Sequence, residues 1–287
     1  MDIGIGLPNV ARGASGPVFR EWARRAEERG FTGLSTIDRV AYPSYDSMTA
    51  LSVAAGATDR VRLVSGILLA PAYPPALLAK ASATLDAMSG GRLTLGLSIG
   101  VRQDDFETAQ QPFHTRGRNF DAGLELMHRA WAGEPVGGSP GPICPPPASG
   151  NRVPVLIGGY TEAAVRRTVR WGEGWIAGGG GPAAAAPMIE RVRAAWKESD
   201  RRGEPRIGSL AYFALGADAE RTGAANLLDY YRFRGPVAQQ IADSMLTSDR
   251  AVRDALRAFE DVGVTELYLD PATPSLDQVD RLADAAL

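Results

Sequence analysis

The stretch that most constrains the fold of this chain runs from Val61 to Gly100. A short apolar run, Val61 to Leu69, is followed by an alanine-rich amphipathic segment and a Gly-Gly pair, and a second apolar run then extends from Leu93 to Ile99. This pattern predicts a strand, a helix and a parallel strand. Because the first run shows no polar alternation, we expect its strand to be buried on both faces, between a core and a layer of helices.

The same alternation recurs along the chain. Strand-like apolar runs begin near residues 2, 33, 61, 93, 153, 174, 207 and 265, with helical periodicity between them. Eight such units predict a (β/α)8 TIM barrel formed by residues 1–287 as a single domain. An open doubly wound sheet is the weaker alternative, since no switch point can be located. A Pro/Gly-rich stretch at about 133–152 predicts an insertion at the barrel surface, because dense proline suits neither a helix interior nor a central strand.

Composition limits the partners of this chain. Its 31 basic and 33 acidic residues give a net charge of -2, which provides no basic footprint for nucleic acid or an anionic membrane. Cys144 is the only cysteine and there are two histidines, so we expect neither an intrachain disulfide nor a metal site. The first residues do not resemble a signal peptide, and no apolar run approaches the ~20 residues that span a bilayer. We therefore expect a cytoplasmic protein whose partners are small molecules or other subunits.

Two glycine loops follow neighbouring predicted strands. The first consists of Gly158, Gly159, Tyr160 and Thr161, and the second begins with Gly178, Gly179 and Gly180. Free backbone N–H groups, a hydroxyl and a helix N-terminus can converge there on a phosphate. Either loop alone could merely turn the chain, but two on neighbouring strands favour a phosphate site. Neither matches a P-loop or the GxGxxG fingerprint, so tightly held ATP or NAD is not indicated.

Charged candidates for chemistry are few. Asp38 and Arg39 follow the second predicted strand, where the catalytic groups of a barrel are expected. A helix cap or a surface ion pair is the simpler interpretation of these two residues. His114 lies in a polar loop and is a weak candidate for a pocket residue, whereas His128 falls within a predicted helix and suits packing. No Ser/His/Asp or Cys/His nucleophile set can be assembled.

Three segments carry a resemblance to a known family. The chain is similar to the bacterial luciferase-like flavin-dependent oxidoreductases and monooxygenases in three segments. These are ALLAKASATLDAMSGGRLTLGLSIG, the later PFHTRGRNFDAGLELMHRAW and PVLIGGYTEAAVRRTVRWGEGWIAGG. The resemblance extends over nearly the whole chain. It implies a (β/α)8 barrel with an insertion, usually dimeric, that binds reduced FMN or its deazaflavin relative over the strand ends. It also implies that the glycine loops hold the cofactor phosphate and that a non-proline cis peptide, Ser65–Gly66, lies behind the flavin ring.

The chain departs from the family pattern at two positions. Many relatives carry an acidic residue followed by histidine after the second strand, whereas this chain has Asp38 and then Arg39, so the imidazole is missing. Val101 replaces a glutamate that deazaflavin-dependent sugar-phosphate dehydrogenases use. Both differences argue against that dehydrogenase chemistry. Arginine is a poor general base, so Arg39 better suits an electrostatic anchor for substrate, cofactor or reduced oxygen.

These observations predict a flavin-dependent monooxygenase that takes reduced FMN from a separate flavin reductase, forms a homodimer and acts with oxygen on a small organic substrate. Hydride transfer from a deazaflavin coenzyme is the first alternative. The missing histidine motivates another alternative, an inert barrel that binds a flavin or phosphorylated ligand. A Schiff-base aldolase would have only Lys80 and Lys197 for its amine. The predicted site comprises Asp38 and Arg39 as catalytic residues, with Ser65, Gly66 and the two glycine loops around the cofactor.

Overall fold

The computed structural model describes residues 1–287 and forms a closed barrel of eight parallel strands in chain order, with the first strand paired to the last. The strands are β1 Asp2–Gly6, β2 Gly33–Thr36, β3 Arg62–Leu69, β4 Leu93–Ser98, β5 Val155–Gly158, β6 Gly174–Ile176, β7 Arg206–Phe213 and β8 Glu266–Pro271. Each begins within two residues of the position predicted from the sequence. The predicted (β/α)8 barrel is confirmed.

Eleven α-helices surround the barrel. They are α1 Gly16–Glu28, α2 Ser47–Ala55, α3 Pro75–Met88, α4 Gln103–Thr108, α5 Arg116–Trp131, α6 Glu162–Trp171, α7 Gly181–Lys197, α8 Ala217–Tyr230, α9 Pro236–Asp243, α10 Asp249–Asp261 and α11 Asp277–Ala286. Short 3-10 helices occupy Ala70–Ala72 and Arg232–Arg234. The polar segment after β4, predicted as a loop, contains the short α4. None of the helices combines the length and apolar character needed to cross a membrane.

The inner face of the barrel alternates glycine with a few large side chains. A Cβ at Gly4 would lie 2.5 Å from the Tyr268 ring, and one at Gly33 would lie 3.1 Å from it. A Cβ at Gly208 would lie 3.0 Å from Ile176. Glycine is therefore required where a neighbouring strand sends a bulky residue across the lumen. The lumen is a packed core, which leaves the strand ends as the place for a ligand.

Charged residues close the amino-terminal end of the barrel. The buried Glu266 accepts hydrogen bonds from Arg206 Nε at 2.5 Å, from Arg206 Nη2 at 2.9 Å and from the Tyr268 hydroxyl at 2.9 Å. Arg206 Nη1 also donates to Thr94 Oγ1 at 3.3 Å. Burial opposes ionisation of Glu266, but the hydrogen bonds and charge of Arg206 outweigh it and lower the pKa of Glu266. This network joins β4, β7 and β8 below the core.

The Pro/Gly-rich region lies between α5 and β5, and residues 132–154 contain no helix or strand. Its end is fixed to α3 by Ser149, whose backbone N–H and hydroxyl donate to the Asp86 carboxylate at 2.9 and 2.8 Å. Asp86 is fully buried, so the insertion is held against the barrel wall by charge-assisted hydrogen bonds.

Candidate active site

The third strand is irregular where it approaches the strand ends. Ser65 pairs in register with Thr36 on one side and Leu95 on the other, and its hydroxyl donates to the Gly96 carbonyl at 3.0 Å. The register with β4 shifts only after Ser65, before Leu68. The cis peptide joins Gly66 and Ile67, so the prediction of Ser65–Gly66 is wrong by one residue. The physical reason is that the ladder and the Ser65 side chain hold that residue on both sides.

The irregular end of β3 lies against both glycine loops. A Cβ at Gly158 would lie 2.8 Å from Ile67 Cδ1, and a Cβ at Gly178 would lie 3.5 Å from the same atom. The strands β3, β5 and β6 therefore meet at Ile67. The structure thus brings the β3 bulge and the beginnings of both glycine loops to one side of the barrel rim.

The glycine loops present unpartnered backbone donors. The N–H groups of Gly159, Tyr160, Thr161, Gly178, Gly179 and Gly180 donate to no acceptor in the protein. Gly159 has a φ of +120°, and Gly179 has a φ of +100°, a conformation that side chains with a Cβ avoid. Glycine thus allows successive N–H groups to turn towards one place, as in other anion-binding loops.

Three side chains fix this arrangement, which we call the anion cradle (residues 159–161 and 178–180). The Tyr160 hydroxyl donates to the Gly179 carbonyl at 2.6 Å and joins the two loops. Trp175 Nε1 donates to the Gly159 carbonyl at 2.7 Å. Thr161 caps α6 by accepting from Ala164 N at 3.4 Å, which leaves its own hydroxyl proton free to donate. Burial raises the pKa of Tyr160 to about 12, so it remains a donor at neutral pH.

The donor set of the cradle fits a phosphate group. Six N–H groups and one hydroxyl lie at the N-termini of α6 and α7, where the helix dipoles also favour an anion. One acidic side chain, Glu162, lies in the first turn of α6, but Arg191 binds it at 2.5 Å. Its charge is therefore balanced by the neighbouring helix.

Asp38 links the end of β2 to the end of β3. Its Oδ2 accepts from Leu69 N at 2.9 Å, and its Oδ1 accepts from the Tyr73 hydroxyl at 2.9 Å. Burial raises the pKa of Asp38 to about 6, against the opposing effect of these hydrogen bonds. Asp38 is thus a buried carboxyl group near the bulge that can exchange a proton close to neutral pH. Tyr73 carried no sequence signal, because its partner is 35 residues away.

Arg39 is held by two acidic residues of α4. Its Nε donates to Asp105 Oδ1 at 3.0 Å, and its Nη2 donates to Asp104 Oδ2 at 3.1 Å and to the Ala41 carbonyl at 3.0 Å. Asp105 is fully buried and also accepts from Val40 N and Ala41 N. The charge of Arg39 is therefore neutralised within the protein, and its contacts shape the loop after β2.

The two histidines do not lie together. His128 stacks on Trp171 with ring centroids 4.9 Å apart, and burial lowers its pKa to about 4. It is a neutral packing residue, as its helical position suggested. His114 lies beside Phe113, with ring centroids 5.9 Å apart, and no contact joins it to the cradle.

A second buried carboxyl group lies at the carboxyl end of β8. Asp270 pairs in register with Tyr212, and its Oδ1 accepts from Ser35 Oγ at 3.0 Å, whereas its Oδ2 has no partner. Burial raises the pKa of Asp270 to about 7, although the hydrogen bond from Ser35 opposes the increase. In the sequence, Asp270 directly precedes Pro271 at the end of the last apolar run, and this position carries no signal that the carboxyl group is buried.

A closed parallel barrel whose strand ends carry an anion cradle and buried, titratable carboxyl groups defines an enzyme-like (β/α)8 protein. Residues 1–283 match the family model described as luciferase-like monooxygenase. The chain belongs to this family, and the family predicted from the sequence is confirmed. Membership supports an oxidoreductase.

Several individual proteins are similar to this chain. An uncharacterized protein of Mycobacterium tuberculosis is 30% identical over 213 residues, which are 62% of this chain and 71% of the relative. The monooxygenase RslO1 of Streptomyces bottropensis superposes with a TM-score of 0.75 at 25% identity, over 99% of this chain and 96% of its own. The coenzyme F420 dependent tetrahydromethanopterin reductase of Methanopyrus kandleri has a TM-score of 0.76 at 16% identity, over 100% and 99% of the two chains. The last similarity shows the fold alone.

Proposed function

We propose that this protein is a flavin-dependent monooxygenase that uses reduced FMN and oxygen on a small organic substrate. The observation that carries the proposal is the anion cradle, whose six free N–H groups are held together by Tyr160. The cradle adjoins the bulge of β3, because a Cβ at Gly178 would lie 3.5 Å from Ile67 Cδ1, and the flavin ring is proposed to pack against this bulge. Family membership and the fold shared with a named monooxygenase support the same conclusion.

The chain's own residues have defined tasks in this proposal. The cradle binds the phosphate, and Gly66 and Ile67 support one face of the ring. Reduced FMN, when bound, supplies the electrons for oxygen activation. Asp38 is proposed as the group that holds or releases a proton at Oδ1, in place of the imidazole that many relatives carry. Arg39 is proposed to act through the loop after β2, which its ion pairs with α4 hold in place.

The decisive test is a cofactor titration. The full-length protein is titrated with FMN, with anaerobically reduced FMN and with coenzyme F420, and binding is followed by fluorescence. We expect reduced FMN to bind, and we expect oxygen uptake by the complex to increase when a substrate is present. Binding of F420 without FMN would instead favour the deazaflavin alternative and hydride transfer. Binding of neither would refute a flavin-type cofactor altogether.

Asp38→Asn tests the proposed proton exchange. The amide keeps the size of the carboxyl group. Its oxygen can accept from Leu69 N while its NH2 donates to the Tyr73 hydroxyl oxygen, so FMN affinity should change little. The turnover rate should fall and lose its dependence on a group that titrates near pH 6. A homodimer, a separate flavin reductase and a cytoplasmic location remain predictions.

A further inference from the structure

Arg102 lies four residues beyond the end of β4 and caps α4. Only 8% of its surface is exposed, yet no carboxylate lies within ion-pair distance of its guanidinium group. The contrast with the other buried arginines is clear. Arg167 forms two hydrogen bonds to Asp121, and the Arg39 side chain is shared by Asp104 and Asp105. Arg102 is therefore a buried positive charge at the rim that the protein does not neutralise.

The surroundings of Arg102 are aromatic. Its Cζ lies 3.6 Å from the ring centroid of Phe233, 4.8 Å from that of Tyr230 and 5.7 Å from that of Tyr231. We call these four residues the Arg102 patch. Aromatic faces attract a cation, but they neither balance its charge nor accept its N–H bonds in the plane of the guanidinium group.

Most of the donors of Arg102 are unused. Nη2 donates to the Tyr230 carbonyl at 3.2 Å, and no other hydrogen bond is made by the guanidinium group. Neither Nε nor Nη1 makes a hydrogen bond within the protein, and neither atom is fully enclosed, so both are accessible to solvent. A planar group with several N–H bonds left open is suited to a carboxylate, which can accept two parallel hydrogen bonds.

The patch is joined to the residues of the candidate active site. The Tyr230 ring lies between Arg102 and Arg39, whose Cζ is 5.6 Å from its centroid. The Tyr231 hydroxyl lies 2.7 Å from the hydroxyl of Tyr212, which is in register with Asp270 at the end of β8. The patch thus extends over the same rim as the carboxyl groups of the site, away from the cradle loops of β5 and β6.

We propose that Arg102 binds the carboxylate of the substrate, whose planar unsaturated part packs on the half-exposed ring of Phe233. This inference rests on the proposed function, because it names the substrate class of the same site: an aromatic or conjugated organic acid. The unpaired charge selects the anion, and the flat aromatic surface selects the planar body.

The test compares benzoate with benzamide, which has the same shape without the charge. Each is titrated into the full-length protein saturated with FMN, and into the protein alone, by calorimetry. We expect benzoate to bind about tenfold more tightly than benzamide, as a charge-assisted bidentate contact should give. Arg102→Gln should abolish this preference, and Arg102→Lys should retain part of it because a single point charge remains. Arg232→Gln, an exposed position on the same segment, should retain the preference in full.

The outcomes separate this inference from the proposed function. Equal affinities for benzoate and benzamide, or an unchanged preference in Arg102→Gln, would overturn it. So would a tenfold loss of FMN affinity in Arg102→Gln, since Arg102 would then belong to the cofactor site. If the wild-type protein fails to bind any flavin but prefers benzoate through Arg102, the proposed cofactor is refuted while the carboxylate site is supported. The thermal unfolding of each variant shows that it is folded, and the partial retention in Arg102→Lys distinguishes a lost charge from a lost structure.

Discussion

Asp270 should make the stability of this protein decrease with pH. It is a fully buried carboxyl group with one hydrogen bond, from Ser35, and its pKa is raised from 3.8 to about 7 by burial. In the unfolded chain the carboxyl group loses its proton near pH 3.8, whereas in the folded protein it keeps the proton until about pH 7. The folded state therefore binds more protons in this window, and the free energy of unfolding falls as pH rises through it.

The magnitude follows from the size of the window. At about 1.4 kcal/mol for each pKa unit, ionisation of Asp270 destabilises the folded protein by ~4 kcal/mol in total. Of this destabilisation, ~3 kcal/mol develops between pH 5 and pH 8. Asp270→Asn removes the ionisation and keeps an oxygen that accepts from Ser35. The new amide N–H groups lack an acceptor, at a cost of roughly 1–3 kcal/mol that does not vary with pH. The pH dependence of the difference between variant and wild type is thus the quantity to measure.

Urea unfolding of the apoprotein, followed by tryptophan fluorescence at pH 5, 6, 7 and 8, provides the assay. The stability of Asp270→Asn relative to the wild type should rise by ~3 kcal/mol across this range. Asp38 and His128 titrate in the same range, with opposite effects on stability, but both are present in each protein and cancel in the difference. Asp218→Asn, at an exposed position, should show no such trend. A flat difference for Asp270→Asn would show that Asp270 ionises normally and is hydrated, and the reasoning would fail.

Three further predictions concern the cradle and the amino-terminal end of the barrel. Gly179→Ala, at a φ of +100°, should weaken FMN binding about tenfold in a fluorescence titration. The control Gly138→Ala, at a φ of +79° in the Pro/Gly-rich region, should carry a similar ~1 kcal/mol backbone cost without changing FMN affinity. Equal FMN affinities of the two variants would contradict the cradle. Tyr160→Phe removes the hydrogen bond between the two loops and should raise the Kd of FMN about fivefold, as expected for ~1 kcal/mol, and an unchanged Kd would show that the loops are held by other contacts. Glu266→Gln leaves the Arg206 charge poorly balanced at the amino-terminal end of the barrel. The free energy of unfolding in urea should fall by ~3 kcal/mol, with FMN affinity unchanged. A loss below ~1 kcal/mol would show that the Arg206–Glu266 pair is well solvated.

The sequence predicted what depends on local pattern. The apolar runs and their spacing predict all eight strands, because strands buried on both faces need continuous apolar residues. The glycine loops could be recognised because successive N–H groups turn outward only where residues can adopt positive φ, as Gly159 and Gly179 do. The cis peptide of β3 is predicted one residue early, at Ser65–Gly66, since nothing near Ser65 in the sequence reveals that Thr36 and Leu95 hold this residue in the ladder.

The electrostatics of the rim could not be predicted in the same way. Arg39 follows Asp38 at the mouth of a strand and therefore attracts attention as an anchor for an anion, but two aspartates 65 and 66 residues later take up its charge. Arg102 stands in a polar loop two residues before those aspartates, and its sequence neighbours suggest that it is neutralised. The fold reverses this: α4 turns Asp104 and Asp105 towards Arg39 and leaves Arg102 among aromatic rings. The net charge that a ligand meets at the rim depends on carboxylates that are distant in sequence from each arginine. Only the three-dimensional pairing therefore identifies which arginine is free to bind a ligand.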